Sequence, residues 1–130
     1  MLLHTTLCLA AAAVVINIWL MIRIGRVRHA AKIGLGDGGN EALLRRMRAQ
    51  ANFIEQTPLT LILFALVEAA GRGGLWLAPL GAAFMLGRVA HAFGMEENGF
   101  KPGRPIGMLT SMLTQIALVV VALGAATGRF

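Results

Sequence analysis

Four long apolar segments constrain the fold of this chain more than any other feature. They run over Leu2 to Ile22, roughly Ala51 to Ala70, Leu75 to about Phe93, and Ile106 to Ala126. A helix needs about 20 mostly apolar residues to cross the hydrocarbon core of a bilayer. Hydrophobic residues make up 57% of the chain and charged residues only 14%, which is too apolar for an ordinary soluble domain. We therefore predict an all-α integral membrane protein in which residues 1–130 form one four-helix bundle. With their polar extensions, the helices are predicted at about 2–28, 41–70, 75–96 and 105–127.

The basic residues concentrate in two of the connections between these segments. A net charge of +6 is also typical of nucleic-acid-binding proteins, but this distribution is typical of membrane topology, because Lys and Arg mark the cytoplasmic side. We therefore expect the first and third loops to be cytoplasmic, and we predict no nucleic-acid partner. The residues are Arg23, Arg26, Arg28, Lys32, Arg45, Arg46 and Arg48 around the first loop, and Lys101 and Arg104 in the third.

A polar stripe leads directly into the second apolar segment. At about 100° per residue, four polar side chains between positions 45 and 55 fall within an arc of roughly 80° on one helical face. A charge at the bilayer centre costs about 2.5–3.5 kcal/mol on insertion scales, so such residues face protein or a wet cavity and mark function. The stripe therefore contains the main candidate site residues. They are Arg45, Arg48, Asn52 and Glu55.

Two interpretations of the stripe are open at this point. In the first, Glu55 pairs with Arg48 or Arg88, and the network only locks the helices together. In the second, the arginines line a cavity for an anionic ligand that carries carboxylates. The charge balance favours the second interpretation, because one glutamate stands among five arginines and a structural network would balance more nearly. The five are Arg28, Arg45, Arg48, Arg88 and Arg104.

Three polar residues outside the stripe have predicted local roles. His91 follows Arg88 by three residues; it either transfers protons or, as we favour, hydrogen-bonds within the bundle. Glu68 precedes Arg72 by four residues, which is an ion-pair spacing on a helix. Asn40 ends a glycine-rich first loop and is placed to cap the second helix. No cysteine or histidine spacing predicts a metal site.

The polar motifs resemble those of one protein family. Residues 48–59, Arg-Ala-Gln-Ala-Asn-Phe-Ile-Glu-Gln-Thr-Pro-Leu, are similar to the second-helix signature of the MAPEG family, the membrane-associated proteins of eicosanoid and glutathione metabolism. Residues 87–91, Gly-Arg-Val-Ala-His, resemble its third-helix motif, and residues 36–40, Gly-Asp-Gly-Gly-Asn, resemble the first loop of its bacterial members. The resemblance spans nearly the whole chain. It implies a homotrimer of four-helix bundles in the inner (plasma) membrane of a bacterium.

The resemblance also implies a function. Glutathione, as co-substrate, is expected between neighbouring subunits near the cytoplasmic side, with Glu55 accepting a hydrogen bond from the γ-glutamyl ammonium. Arg104 is expected to stabilise the thiolate as the catalytic residue. The implied activity is that of a membrane-bound glutathione-dependent transferase or peroxidase acting on lipophilic small-molecule electrophiles that partition from the membrane lipids. The implied glutathione-binding residues are Arg28, Arg45, Arg48, Asn52, Glu55, Arg88 and His91.

Three positions depart from the family pattern. The chain has no tyrosine, and Gln56 and Met95 stand where several members of the family place a tyrosine at the glutathione site. Gln50 replaces a histidine that is common in the prostaglandin-forming branch. The missing tyrosines favour an alternative function, in which a non-catalytic membrane protein holds an anionic lipid headgroup or another anion in a basic intramembrane cavity.

Overall fold

The computed structural model describes residues 2–130, and over this range the chain forms four helices and no strands. The all-α four-helix prediction is therefore confirmed. Three helices, α1, α3 and α4, are long and apolar enough to cross a membrane. The helix α2 has 29 residues but is not among the three, because its first half carries the polar stripe. The helices are α1 (His4–Ala31), α2 (Glu41–Ala69), α3 (Leu77–Gly94) and α4 (Gly103–Ala126).

The first loop turns the chain sharply between α1 and α2. Lys32 ends α1 in the left-handed region, with φ of 57°, and three glycines with positive φ follow, a conformation that costs glycine little. The Asn40 Oδ1 atom then accepts a hydrogen bond from the Leu43 N–H at 3.0 Å. The predicted cap of α2 is confirmed, and it satisfies one of the unpaired N–H groups of the first turn.

The first turn of α1 is capped by a residue of another helix. Leu3, at the N-cap position, offers no capping side chain. Instead the Glu68 carboxylate, near the end of α2, accepts from the N–H groups of Thr5 and Thr6 at 2.9 Å each and from the Thr6 hydroxyl at 2.8 Å. A negative charge at this position also suits the positive end of the α1 dipole. The prediction that Glu68 pairs with Arg72 is wrong, because α1 takes that carboxylate.

Glycines bring α3 and α4 into backbone contact. A Cβ atom on Gly107 would collide with the Gly87 carbonyl oxygen, and one on Gly103 would collide with the Ala90 carbonyl oxygen. Small residues at such crossings let two helices approach closely in a membrane. The close approach places the backbone of α4 within reach of the polar side chains of α3.

A charged cluster joins α1, α2 and the segment that follows α3. We call it the Glu96 cluster: Arg23, Arg46 and Glu96. The Glu96 Oε1 atom accepts from the Arg23 guanidinium and from Arg46 Nε, the latter at 2.9 Å. Arg46 Nη1 also donates to the Arg23 carbonyl oxygen at 2.7 Å. The Arg23 guanidinium lies 4.7 Å from the centre of the Trp19 ring and 5.3 Å from that of Phe93, within cation–π distance.

Candidate functional site

The polar stripe of α2 divides into two parts. Arg45 and Asn52 face protein: Arg45 Nη1 donates to the Met95 carbonyl oxygen at 3.4 Å, and Asn52 Oδ1 accepts from Arg88. Arg48 and Glu55 are exposed, and within residues 2–130 their side chains make no hydrogen bond or ion pair. The interpretation in which Glu55 pairs with Arg48 or Arg88 is therefore wrong for the single chain.

Arg88 is a buried cation whose partners are all neutral. Its exposed fraction is 3%. Nη1 donates to Asn52 Oδ1, Nη2 donates to the Gly107 carbonyl oxygen, and the guanidinium lies 6.0 Å from the centre of the Phe84 ring. Its Nε atom is buried and has no partner in the part of the chain that the structure describes. A buried charge without a counter-ion is costly, so this position attracts an anion.

A cavity of ≈ 540 Å³ opens beside Arg88 between α2 and α4; we call it the α2–α4 cavity. One wall is polar: Gln115 Nε2 donates to Gln56 Oε1 at 2.9 Å and lies 3.0 Å from Thr60 Oγ1. The other wall is apolar and includes exposed side chains, so the cavity is open to the hydrocarbon of a bilayer. The lining residues that matter below are Asn52, Gln56, Arg88, Met108, Leu109 and Met112.

A second cavity, of ≈ 700 Å³, lies on the other side of α2 and faces α1; we call it the α1–α2 cavity. Its polar lining residues are Arg28, Gln50 and Glu55. Arg28 Nη1 donates to the Gly36 carbonyl oxygen at 2.7 Å, and Gln50 Nε2 donates to Asn17 Oδ1 at 3.2 Å. The carboxylate of Glu55 is left as the one anionic group on this wall.

Arg48 lies on the edge of α2 between the two cavities. At about 100° per residue, it is roughly 20° from Glu55 and about 40° from Asn52 around the helix. We call the exposed edge formed by Arg48 and Glu55 the α2 ridge. Four of the seven predicted glutathione residues line the cavities on either side of this ridge: Arg28 and Glu55 line the α1–α2 cavity, and Asn52 and Arg88 line the α2–α4 cavity.

The structure places His91 and Arg104 apart from the cavity walls. His91 is buried where α3 meets Gly107, and its ring makes no side-chain hydrogen bond within residues 2–130, contrary to the role that we favoured. Arg104 is exposed in the first turn of α4 and has no ion pair among the described residues. It precedes Pro105, which lines the α2–α4 cavity. The described residues contain no cluster of three or more His, Cys, Asp or Glu side chains that fits a metal ion.

Sequence reasoning missed the polar wall of the α2–α4 cavity. The mostly apolar composition of α4 predicts only a packing role for it, but Gln115 bonds to both Gln56 and Thr60. A signal was present, because Asn52, Gln56 and Thr60 follow one another at four-residue spacing and therefore share a face of α2.

Comparison with known proteins agrees with this architecture. The model of the MAPEG family matches residues 6–124, which include the whole of α2 and α3. The chain belongs to the MAPEG family. This match confirms the resemblance carried by residues 48–59 and 87–91, and together with the three apolar helices it confirms a membrane protein. Glutathione and the trimer stay predictions for this MAPEG protein.

Two relatives extend the comparison to bacterial proteins. The uncharacterized protein sll1147 of Synechocystis sp. is 33% identical over 88% of this chain and 82% of its own length. The inner membrane protein YecN of Escherichia coli is 26% identical over 75% of this chain and 74% of its own length. No solved structure matches the chain.

Proposed function

We propose that this protein is a membrane-bound, glutathione-dependent transferase or peroxidase that acts on lipophilic electrophiles. The observation that supports the proposal most is the buried guanidinium of Arg88, which has only neutral partners and lines the α2–α4 cavity. A ligand carboxylate beside it supplies the missing counter-ion and a partner for Nε. A charge-assisted bond of this kind is about twice as strong as a neutral one.

The chemistry of glutathione fits the charges around the α2 ridge. The tripeptide carries two carboxylates and one ammonium group. Arg88 and Arg48 suit the carboxylates, because a guanidinium presents a planar fork of donors to them. Glu55 suits the ammonium group, since its carboxylate has no cation partner within the described chain. Asn52 lies between Arg48 and Glu55 along the axis of α2, and its Oδ1 atom already orients Arg88 by accepting a hydrogen bond from it.

The exposed α2 ridge supports assembly of the chain as a homotrimer. In a single chain, Arg48 and Glu55 face the surroundings beside the apolar half of α2, where an uncompensated charge is costly. Packing of a second copy against the ridge covers both charges. It also brings the α1–α2 cavity of one copy, with Arg28, next to the α2–α4 cavity of another, so that a single ligand reaches residues of both.

The proposed reaction begins with the glutathione thiolate. In the transferase reaction, the sulfur forms a bond to an electrophilic carbon, and the leaving group departs with its electron pair. In the peroxidase reaction, sulfur attacks the hydroperoxide oxygen and the alcohol leaves; a second glutathione then gives the disulfide and water. We assign stabilisation of the thiolate to Arg104, whose cation has no partner in residues 2–130. The second substrate enters from the bilayer past Met108, Leu109 and Met112, the open apolar side of the cavity.

The proposed orientation follows from the charged connections. The first and third loops and the helix ends that flank them carry most of the basic residues, and we assign these loops to the cytoplasm of a bacterial inner membrane. Glutathione then reaches its site from the cytoplasm, and the electrophile reaches it from the membrane.

A glutathione transferase assay with an aromatic halide, and a peroxidase assay with a lipid hydroperoxide, test the proposal. We expect activity in the wild type and at least about a tenfold lower kcat/KM in Arg48→Ala and Arg104→Ala, a loss of about 1.4 kcal/mol of transition-state stabilisation. Arg72→Ala, in the second loop, is the matched control and should retain full activity. Activity that is absent, or equal in all four proteins, contradicts the proposal.

The alternative is a non-catalytic protein that binds an anion in the same cavity. One observation favours it: Gln56, at a position where several family members use tyrosine, already accepts a hydrogen bond from Gln115. Calorimetry separates the two functions. Heat from glutathione that disappears in Arg88→Met supports the enzyme, whereas no glutathione heat together with tight retention of an anionic lipid supports the alternative.

A further inference from the structure

A separate basic groove lies where α1 meets the first loop. We call it the α1-end groove; its volume is ≈ 570 Å³, and every charged or titratable residue in its lining is basic. Two of its basic residues, His29 and Lys32, are outside the set assigned to glutathione. The lining consists of Gly25, Arg28, His29, Lys32, Ile33 and Gly34.

The side chains of His29 and Lys32 are free to meet a ligand. Both are exposed, and within residues 2–130 neither makes a side-chain hydrogen bond or ion pair. Basic residues at the end of a helix often serve the last carbonyl groups. Here backbone donors already take that role, because Ile33 N–H donates to the Arg28 oxygen at 3.1 Å and Lys32 N–H donates to the His29 oxygen at 3.4 Å.

An exposed apolar stripe leads along α1 to this groove. Leu7, Val14, Ile18 and Met21 are each at least 50% exposed, and their spacing of seven, four and three residues keeps them on one helical face. At about 1.5 Å per residue the stripe is roughly 21 Å long, and its half next to the groove, from Met21 to Val14, fits within the one leaflet, about 15 Å thick, that an acyl chain occupies. Gly25 follows on the same face, and a Cβ atom there would meet nothing within 4 Å. The stripe is therefore open to the groove.

We propose that the α1-end groove binds the phosphate of an anionic phospholipid, whose acyl chain lies along the half of the stripe next to the groove, from Met21 towards Val14. Charge complementarity identifies the occupant: a cationic groove at the end of an exposed apolar stripe fits a molecule with an anionic head and an apolar tail. Lys32 and His29 hold the phosphate, and Arg28, fixed by the Gly36 carbonyl group, forms the floor. Arg28 also lines the α1–α2 cavity, so the phosphate site adjoins the proposed glutathione site, but His29 and Lys32 belong to the groove alone.

Native mass spectrometry of the full-length protein with added lipid tests the proposal. We expect the wild type to retain phosphatidylglycerol in preference to phosphatidylcholine. Lys32→Asn should weaken phosphatidylglycerol binding about fivefold, the effect of one basic residue near an anionic membrane surface. Asparagine suits this test because it removes the charge and tolerates the left-handed backbone at position 32.

Arg26→Ala is the matched control. Arg26 is exposed on the same turn of α1 but does not line the groove, so phosphatidylglycerol binding should be unchanged. An equal loss in Arg26→Ala and Lys32→Asn shows general surface attraction and overturns the proposal. Equal retention of both lipids overturns it as well. Displacement of the lipid by millimolar inorganic phosphate assigns the groove to a free anion and overturns the lipid assignment.

Discussion

Two groups of arginines near the same end of the bundle differ in what the chain provides for them. In the Glu96 cluster, Arg23 and Arg46 share one carboxylate, and the Arg23 guanidinium also lies within cation–π distance of two aromatic rings that contact each other. Around the α2 ridge, Arg88 has only neutral partners, and Arg48 has none within the described chain. Charge that is balanced internally holds helices together. Charge that is left unbalanced is available for a ligand or for a second copy of the chain.

Replacing Arg88 gives the largest effect that the comparison predicts. Arg88→Met should lower kcat/KM with glutathione by about 30-fold or more, because removing one partner of a buried, hydrogen-bonded charge pair costs about 2–5 kcal/mol. Without ligand, its thermal stability should equal or exceed that of the wild type, since an uncompensated buried charge has been removed. Steady-state kinetics and thermal unfolding in detergent measure the two effects. A large loss of stability without ligand would show that Arg88 is structural.

Glu96→Ala should give the opposite result to Arg88→Met: it should lower stability and leave glutathione binding intact. Arg23 then remains mostly buried without its carboxylate, and we expect a loss of about 2–3 kcal/mol of unfolding free energy, less than for a fully buried pair because Glu96 is partly exposed. Glutathione affinity should stay within twofold of the wild-type value. Glu97→Ala is the control, because Glu97 makes no ion pair within residues 2–130. Chemical unfolding and calorimetry check both expectations, and equal stability of the two variants contradicts the structural role of the cluster.

Gly107→Ala tests whether stability depends on the close approach of α3 and α4 that brings the Gly107 carbonyl oxygen to Arg88. The added methyl group collides with the Gly87 carbonyl oxygen and with His91, and overpacking of this kind costs about 1–3 kcal/mol. Gly25→Ala, where a Cβ atom meets nothing, should be neutral or stabilising. The difference between the two melting temperatures is the measurement. Equal melting temperatures would mean that α3 and α4 separate without cost.

Of these substitutions, Glu68→Ala should have the smallest effect on the free energy of unfolding. Loss of the cap on α1 is expected to cost about 1 kcal/mol, while glutathione binding, at the other end of α2, stays unchanged. Hydrogen exchange of the Thr5 and Thr6 amides should rise in the variant. Unchanged protection of these amides would show that another group serves the first turn of α1.

The parts of the fold that could be predicted from the sequence are those set by residues close together along the chain. The helices follow from the apolar segments, and the Asn40 cap follows from a side chain only three residues from its donor. The division of the polar stripe could not be predicted, because helical periodicity gives the angle of Asn52 but does not identify Arg88 as its neighbour. The Glu96 cluster was missed for the same reason: Glu96 is 73 residues from Arg23, and only the packed bundle brings them together.

The carboxylate that completes the first turn of α1 has a consequence for the order in which the chain is made. Glu68 is 62 residues downstream of Thr6, so it is synthesised after all of α1 and nearly all of α2. During synthesis from the N-terminus, the first turn of α1 therefore lacks its hydrogen-bond acceptor until α2 has been made and packs beside α1. The first turn of α1 becomes fully hydrogen-bonded only when α1 and α2 pack together. Truncation before residue 68 should therefore leave the beginning of α1 frayed.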